Sequence, residues 1–140
     1  MTTHELLKEQ LDDSGYQLDK AYEGMPEQGM DYKATEGCMS PREQLGHLME
    51  AYEAYIQQTQ GKKYDWGSFT PASSETGPLL AEFRDQRAKA AAAALASDSD
   101  EMIKSAHMYV IGHDYYHVGQ VCLALLAVEP GWDPYAIYRG

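Results

Sequence analysis

Apolar residues recur along this chain every three or four positions, the period of a helix with one buried face. Leu7, Leu11, Leu18 and Tyr22, with Ser14 between, form the first such stripe. Thr2-Thr3-His4-Glu5 ahead of it has capping-box form, and Gly24 and Pro26 follow it. A helix is therefore expected from Thr2 or Thr3 to about Glu23. A second stripe holds Leu45, Leu48, Ala51, Tyr52, Tyr55 and Ile56. It follows Ser40-Pro41-Arg42-Glu43, which offers an N-cap serine, a proline at the first helical position and a glutamate at the third. That helix should reach about Gln60. A third is expected from around Pro78 to about Ala96, with Leu80, Phe83, Arg87, Ala91 and Leu95 at helical spacing and an alanine run that favours helix. Ser97-Asp98-Ser99-Asp100-Glu101 then caps and opens a fourth, with acids in the first turn where the helix dipole favours them. Its stripe is Met102, Ala106, Val110, His113, His117, Val121, Ala124 and Val128, and Pro130-Gly131 ends it.

Two long connections separate the first three helices. Glu23 to Met39 is rich in Gly and Met, and Gly61 to Gly77 carries Trp66 and Phe69. Such large apolar groups are expected to pin the second loop to the helices rather than stand in water, or to wall a pocket. The tail Trp132-Asp133-Pro134-Tyr135-Ala136-Ile137-Tyr138 should fold back on the helices or serve a dimer contact. The expected fold is all-α: a four-helix bundle with long connecting loops and a C-terminal aromatic tail, residues 1–140 forming one domain.

Composition narrows the partners. The chain has 140 residues and is 44% hydrophobic, enough for a core. Its net charge of −11 speaks against nucleic acid and against anionic membrane surfaces. A small-molecule substrate or another protein, including a second copy of the chain in a homodimer, is the expected partner. Cys38 and Cys122 lie far apart and make no disulfide framework. No signal sequence opens the chain and no apolar run approaches about 18 residues. A cytoplasmic protein is expected.

The candidate chemistry lies in the fourth helix. His113 and His117 stand four positions apart on the inward stripe. At about 100° per residue they lie one above the other and can share a metal ion. The same spacing suits two packed, hydrogen-bonded histidines. Gln120 falls near the same line, whereas Cys122 falls on roughly the opposite side. A third ligand must come from elsewhere. His47, at the margin of the second helix's apolar arc, either points into a cleft or stands half-exposed without a role. If it points inward, three imidazoles leave coordination positions open, the pattern of a catalytic site, and Zn²⁺ or Ni²⁺ suits such donors. The second position of His113-Asp114-Tyr115-Tyr116-His117 is aspartate, one carbon short of the zinc-protease glutamate. No Glu-x-x-His of a di-iron bundle is present.

Gln44-Leu45-Gly46-His47-Leu48 and His113-Asp114-Tyr115-Tyr116-His117-Val118-Gly119-Gln120 together resemble the DinB/YfiT-like superfamily of four-helix metalloproteins. Helix order, the long first connection and the aromatic tail agree with it. A tryptophan often found before the first motif is replaced by Ser40-Pro41. The resemblance implies a divalent metal, zinc or nickel first and iron or manganese next, on His47, His113 and His117. Gln120 would orient a ligand histidine or a metal-bound water, or else simply pack the helix. It further implies a thiol-dependent S-transferase or related enzyme using a low-molecular-weight thiol. A metal-dependent hydrolase and a non-catalytic metal-binding or interaction bundle are the alternatives.

Overall fold

The structure, a computed structural model, describes residues 1–139, and among them no strand is found. Helix α1 spans Thr3–Glu23, and Thr2 and Glu5 close the expected capping box. Leu7, Leu11, Ser14, Leu18 and Tyr22 are all buried, joined by Gln17 and Ala21. The first connection is not bare loop: a short helix α2, Glu27–Met30, buries Met30 beneath it. Helix α3 spans Pro41–Thr59 with the Ser40/Glu43 capping box formed. Two reciprocal side-chain bonds satisfy backbone N–H groups that would otherwise lack partners, and this makes both starts sharp.

Helix α4 spans Thr76–Leu95, so it starts ahead of Pro78. Its buried face is Leu79, Phe83, Ala90 and Ala94; of the expected stripe Phe83 is buried and Arg87 largely so, while Leu80, Ala91 and Leu95 lie partly buried one position to the side. An alanine run has little contrast between its faces, so periodicity there cannot select one. Packing does: α4 lies chiefly along α3, where methyl side chains permit close approach.

The last long segment is one rod in three parts. Helix α5 spans Asp100–Ala106, capped by Ser99; a π-helical turn covers His107–Ile111; and α6 spans Gly112–Val128. The sequence reading had one unbroken α-helix here. In the widened turn the Gly112 N–H bonds the carbonyl of His107, an i→i+5 bond of the kind often found beside functional sites. A Cβ built on Gly112 would stand 2.8 Å from that carbonyl oxygen. Gly112→Ala is therefore expected to cost about 1–3 kcal/mol in denaturant unfolding. It should also disturb His113, the next residue, so metal affinity should fall with it. A variant as stable as the parent would show that the turn tolerates a side chain.

α6 packs on α1 and α3, and α5 with the π turn packs on α3. The tail turns through a 3₁₀ helix, Pro134–Ile137, against α1 and buries Ile137. Trp132 lies against Gly24 at the end of α1. In the second loop Phe69 packs on the core, while Trp66 remains 54% exposed and walls a concavity, the second of the two expected parts. Among the described residues no helix is long and apolar enough to cross a membrane.

A buried polar network ties α6 to α1, α3 and α4. Asp114 has no exposed surface. It accepts from Ser14 Oγ at 2.8 Å, from Arg87 Nε at 3.1 Å and Nη2 at 2.9 Å, and from the Tyr52 hydroxyl. Arg87 also donates to the carbonyl of Leu11 at 2.6 Å. Burial pushes the Asp114 carboxyl up from its ordinary value, opposed by Arg87 and the two hydroxyls. A Cβ on Gly15 would overlap the guanidinium, so a side chain there would push Arg87 out of its place on Asp114.

Candidate metal centre

Helix α3 carries His47 and α6 carries His113 and His117. The three rings meet where the helices face one another, with centroids 4.8 Å apart for His47–His113, 5.3 Å for His47–His117 and 4.7 Å for His113–His117. The rings stand at 61–88° to one another, so they meet edge to face rather than stacked. His113 Nε2 lies 3.0 Å from His47 Nε2 and 3.1 Å from His117 Nε2. The three candidate donor atoms fall within 4.8 Å of one another. His117 is fully buried, and His47 and His113 are partly so.

Gln44, one turn before His47 on α3, sets the orientation of His117. Its Oε1 lies 2.7 Å from His117 Nδ1, while its Nε2 donates to the Met39 carbonyl at 3.2 Å. The amide is thus fixed by its own donor bond, and Nδ1 must carry the proton. In the neutral ring Nε2 then presents a lone pair toward the other two histidines. The His113 ring donates a hydrogen bond to the backbone carbonyl of Tyr109, in its own helix inside the π turn. Tyr116 sets its ring edge-on to His117 at 5.1 Å.

Burial holds the His117 pKa down, from 6.5 to about 3, with the neighbouring His113 and His47 adding to the effect. His113 is lowered by burial and by His47, partly offset by its bond to Tyr109. His113 and His117 therefore resist protons. Three neutral imidazoles with converging lone pairs repel one another unless something positive lies between them. A divalent cation of the imidazole-preferring class fits this donor set.

In the metal-free protein the same shift predicts acid lability. Below pH 6.5 the unfolded chain takes up a proton that folded His117 refuses until about pH 3. Stability from this group is complete above 6.5 and lost as pH falls, at up to about 1.4 kcal/mol per unit. Urea unfolding of chelator-treated protein between about pH 7 and 5, where carboxylates stay ionised, measures it. A flat profile would mean that His117 is protonated or exposed in the folded chain.

His47 opens onto a cleft of about 670 Å³ whose walls include Gly46, Glu50, Phe69, Pro71 and Leu79. Gly46 lets Pro71 approach α3, since a Cβ there would stand 3.3 Å from the proline ring. Glu50 Oε2 fastens the loop by accepting from the Tyr64 hydroxyl at 2.8 Å and from the N–H groups of Gly67 and Phe69 at 3.1 Å each. On the other side Gln44 and Tyr116 border a second cavity, of about 450 Å³, shared with Met39 and Gln120.

The structure thus brings His47, His113 and His117 together and leaves the remaining histidines out. His4 bonds the Ser97 carbonyl at 2.6 Å, and His107 lies in the π turn. Cys38 is exposed and Cys122 half-buried, and neither joins the cluster. Gln120 makes no hydrogen bond to a histidine among the described residues. The ring-orienting part expected of it is taken by Gln44, which faces His117 across the helix pair. Sequence reasoning missed Gln44 in that part, although it stands in the first motif three positions before His47. It also gave Asp114 no buried partner. The signal was available in Arg87, a lone cation in an otherwise apolar stripe, which needs an inward acid.

The family model described as the DinB superfamily matches residues 10–129, a span that includes all three histidines and Gln44. No curated protein and no solved structure matches the chain. With most of its length covered by that model, the chain belongs to the DinB superfamily.

Proposed function

We propose that this protein is a metal-dependent enzyme that joins a low-molecular-weight thiol to a small electrophile. In this reading its long helices are the family's four-helix bundle, closed by the aromatic tail, working in the cytoplasm. The observation that carries the proposal is the convergence of three Nε2 atoms beside an open cleft, with His117 aligned by Gln44. A purely structural site would be closed by a fourth protein ligand. Here the cluster among the described residues holds three.

His47, His113 and His117 would hold the cation. When bound, it supplies a Lewis acid that lowers the pKa of a thiol at the site, making a nucleophile at neutral pH. The chain's own residues do the rest. Gln44 and the Tyr109 backbone keep the ring nitrogens aimed inward. Glu50 fixes the loop that walls the cleft beside His47. Gln120 and Tyr116, on the second cavity, are placed to contact substrate. The sulfur forms the new bond to the electrophilic carbon, the thiol proton leaves to solvent through the cleft, and the leaving group departs with its bonding pair.

The test is turnover of an activated aryl halide by protein loaded with zinc, nickel or manganese, with glutathione, bacillithiol or mycothiol in turn. Turnover that needs both metal and thiol, and stops with chelator, supports the proposal. Ester hydrolysis that proceeds without thiol would replace it with a hydrolase. Metal binding without turnover for any thiol would leave a non-catalytic site.

A further inference from the structure

A further concavity lies at the Lys62–Trp66 end of the Gly61–Gly77 loop, and none of the three clustered histidines lines it. Its volume is about 260 Å³, and Tyr55, Lys62, Lys63, Tyr64, Trp66 and Tyr109 line it. The aromatic groups are assembled rather than scattered. The Trp66 and Tyr64 ring centroids are 5.1 Å apart at 68°, and Tyr109 follows at 6.5 Å and 32° from Trp66. Trp66 stays 54% exposed although the loop holding it is anchored. The Glu50 bonds to Tyr64, Gly67 and Phe69 fasten that loop on both sides of the indole. Gly61 and Gly67, with φ of 75° and 91°, make turns that only glycine adopts readily. The Lys62 N–H bonds the Gln57 carbonyl at 2.9 Å, which fixes the backbone from which the two lysines extend. An exposed indole on a preorganised loop is a binding feature, because hiding it would have needed only a looser loop.

The polar capacity left on these walls is mostly donating; the exception is the amide oxygen of Gln58, whose Nε2 donates to Ser105. The Tyr55 and Tyr64 hydroxyls are committed to the Met102 carbonyl and to Glu50. The Trp66 indole N–H, the Tyr109 hydroxyl and both ammonium groups have no acceptor among the described residues. Lys8, Lys20, Lys33 and Lys89 each sit on a carboxylate. Lys62 and Lys63, like Lys104 elsewhere, pair with none among the described residues, in a chain with 22 acids to 11 basic residues. Two adjacent free cations and two free donors around an aromatic floor select a planar ring bearing one negative charge. The volume falls just below the usual range for drug-sized ligands, so a single ring is the fitting size.

We propose that this concavity is a second small-molecule site, specific for a small aromatic carboxylate. Its readout needs no metal, so it stands or falls apart from the thiol-transfer reading. The experiment uses the full chain labelled with ¹⁵N and follows the indole N–H signals of Trp66 and Trp132, assigned by loss of one in Trp66→Phe. Benzoate, titrated to about 20 mM, is expected to shift the Trp66 signal with a Kd on the order of 1 mM and to leave Trp132 in place. Benzamide, the neutral analogue, should bind at least about tenfold more weakly, and Lys62→Gln with Lys63→Gln should weaken benzoate by about the same factor. The lysines are exposed, so the double variant should keep the parent's spectrum elsewhere. Equal shifts with benzamide, equal shifts of both indoles, indifference to the lysine changes, or no shift at all would each overturn the proposal.

Discussion

Asp114→Ala is expected to lower the unfolding free energy by about 3–5 kcal/mol at neutral pH, among the largest losses a single substitution can produce. The carboxylate is fully buried and holds Arg87, Ser14 and Tyr52 at once. Removing it leaves a guanidinium with only 14% of its side-chain surface exposed and no counter-charge, together with two hydroxyls lacking their acceptor. The cost is mainly that of stranded groups, not the worth of the pair itself. A discriminating comparison follows. Arg87→Met combined with Asp114→Leu removes both charges and should be less damaging than either single change. Urea denaturation of the three variants measures this. Losses below about 1 kcal/mol for the single Asp114 change would mean that water reaches the network. Asp114 also stands directly after His113, so the network fixes the rotation of α6 and hence the aim of both its histidines. Metal affinity should therefore weaken in Asp114→Ala, though less than on loss of a ligand.

His117→Ala should reduce affinity for the divalent cation by at least about a hundredfold, and His47→Ala and His113→Ala by similar factors. Loss of an outer partner alone typically costs 10–100-fold, and a direct ligand must cost more. Gln44→Ala tests that outer tier. With Nδ1 unheld, the ring loses its orientation and its fixed tautomer, and affinity should fall by about 10–100-fold. Gln44→Glu supplies an acceptor oxygen at the same place and should restore most of it. A merely structural glutamine would show the opposite order, because burying a new carboxylate there costs stability. Elemental analysis and competition with a chromophoric chelator give the numbers. About one metal per parent chain, lost in every histidine variant that remains folded, is the expected outcome. A parent chain that stays metal-free after reconstitution with zinc, nickel or manganese would end the metal reading.

Much of this protein could be read before its structure. The start of α3 was legible to the residue and that of α1 to within one position, because a capping box is a contact between neighbours in sequence and needs nothing else. The stripe on α1 was legible for the same reason. The three histidines were legible as a group only through the two motifs together. Spacing alone put His113 and His117 on one face of a helix but left His47 undecided between cleft and surface. The break of the last helix at His107–Ile111 was hidden, since one widened turn leaves the apolar period nearly intact on either side.

What the sequence determined by itself is local: four helical segments, their capped starts, and two inward histidines. What only the tertiary structure decided is pairing. Gln44 rather than Gln120 holds His117, because α3 and not α6 supplies the facing surface. Asp114 points inward because Arg87, 27 positions away, comes to meet it from α4. Which face of the alanine-rich α4 is buried was settled by α3 lying against it. Trp66 stays in water because Glu50 fastens the backbone on both sides of it. In each case the partner of a polar or small side chain is chosen by a different helix or loop. Periodicity along one segment contains no record of that choice.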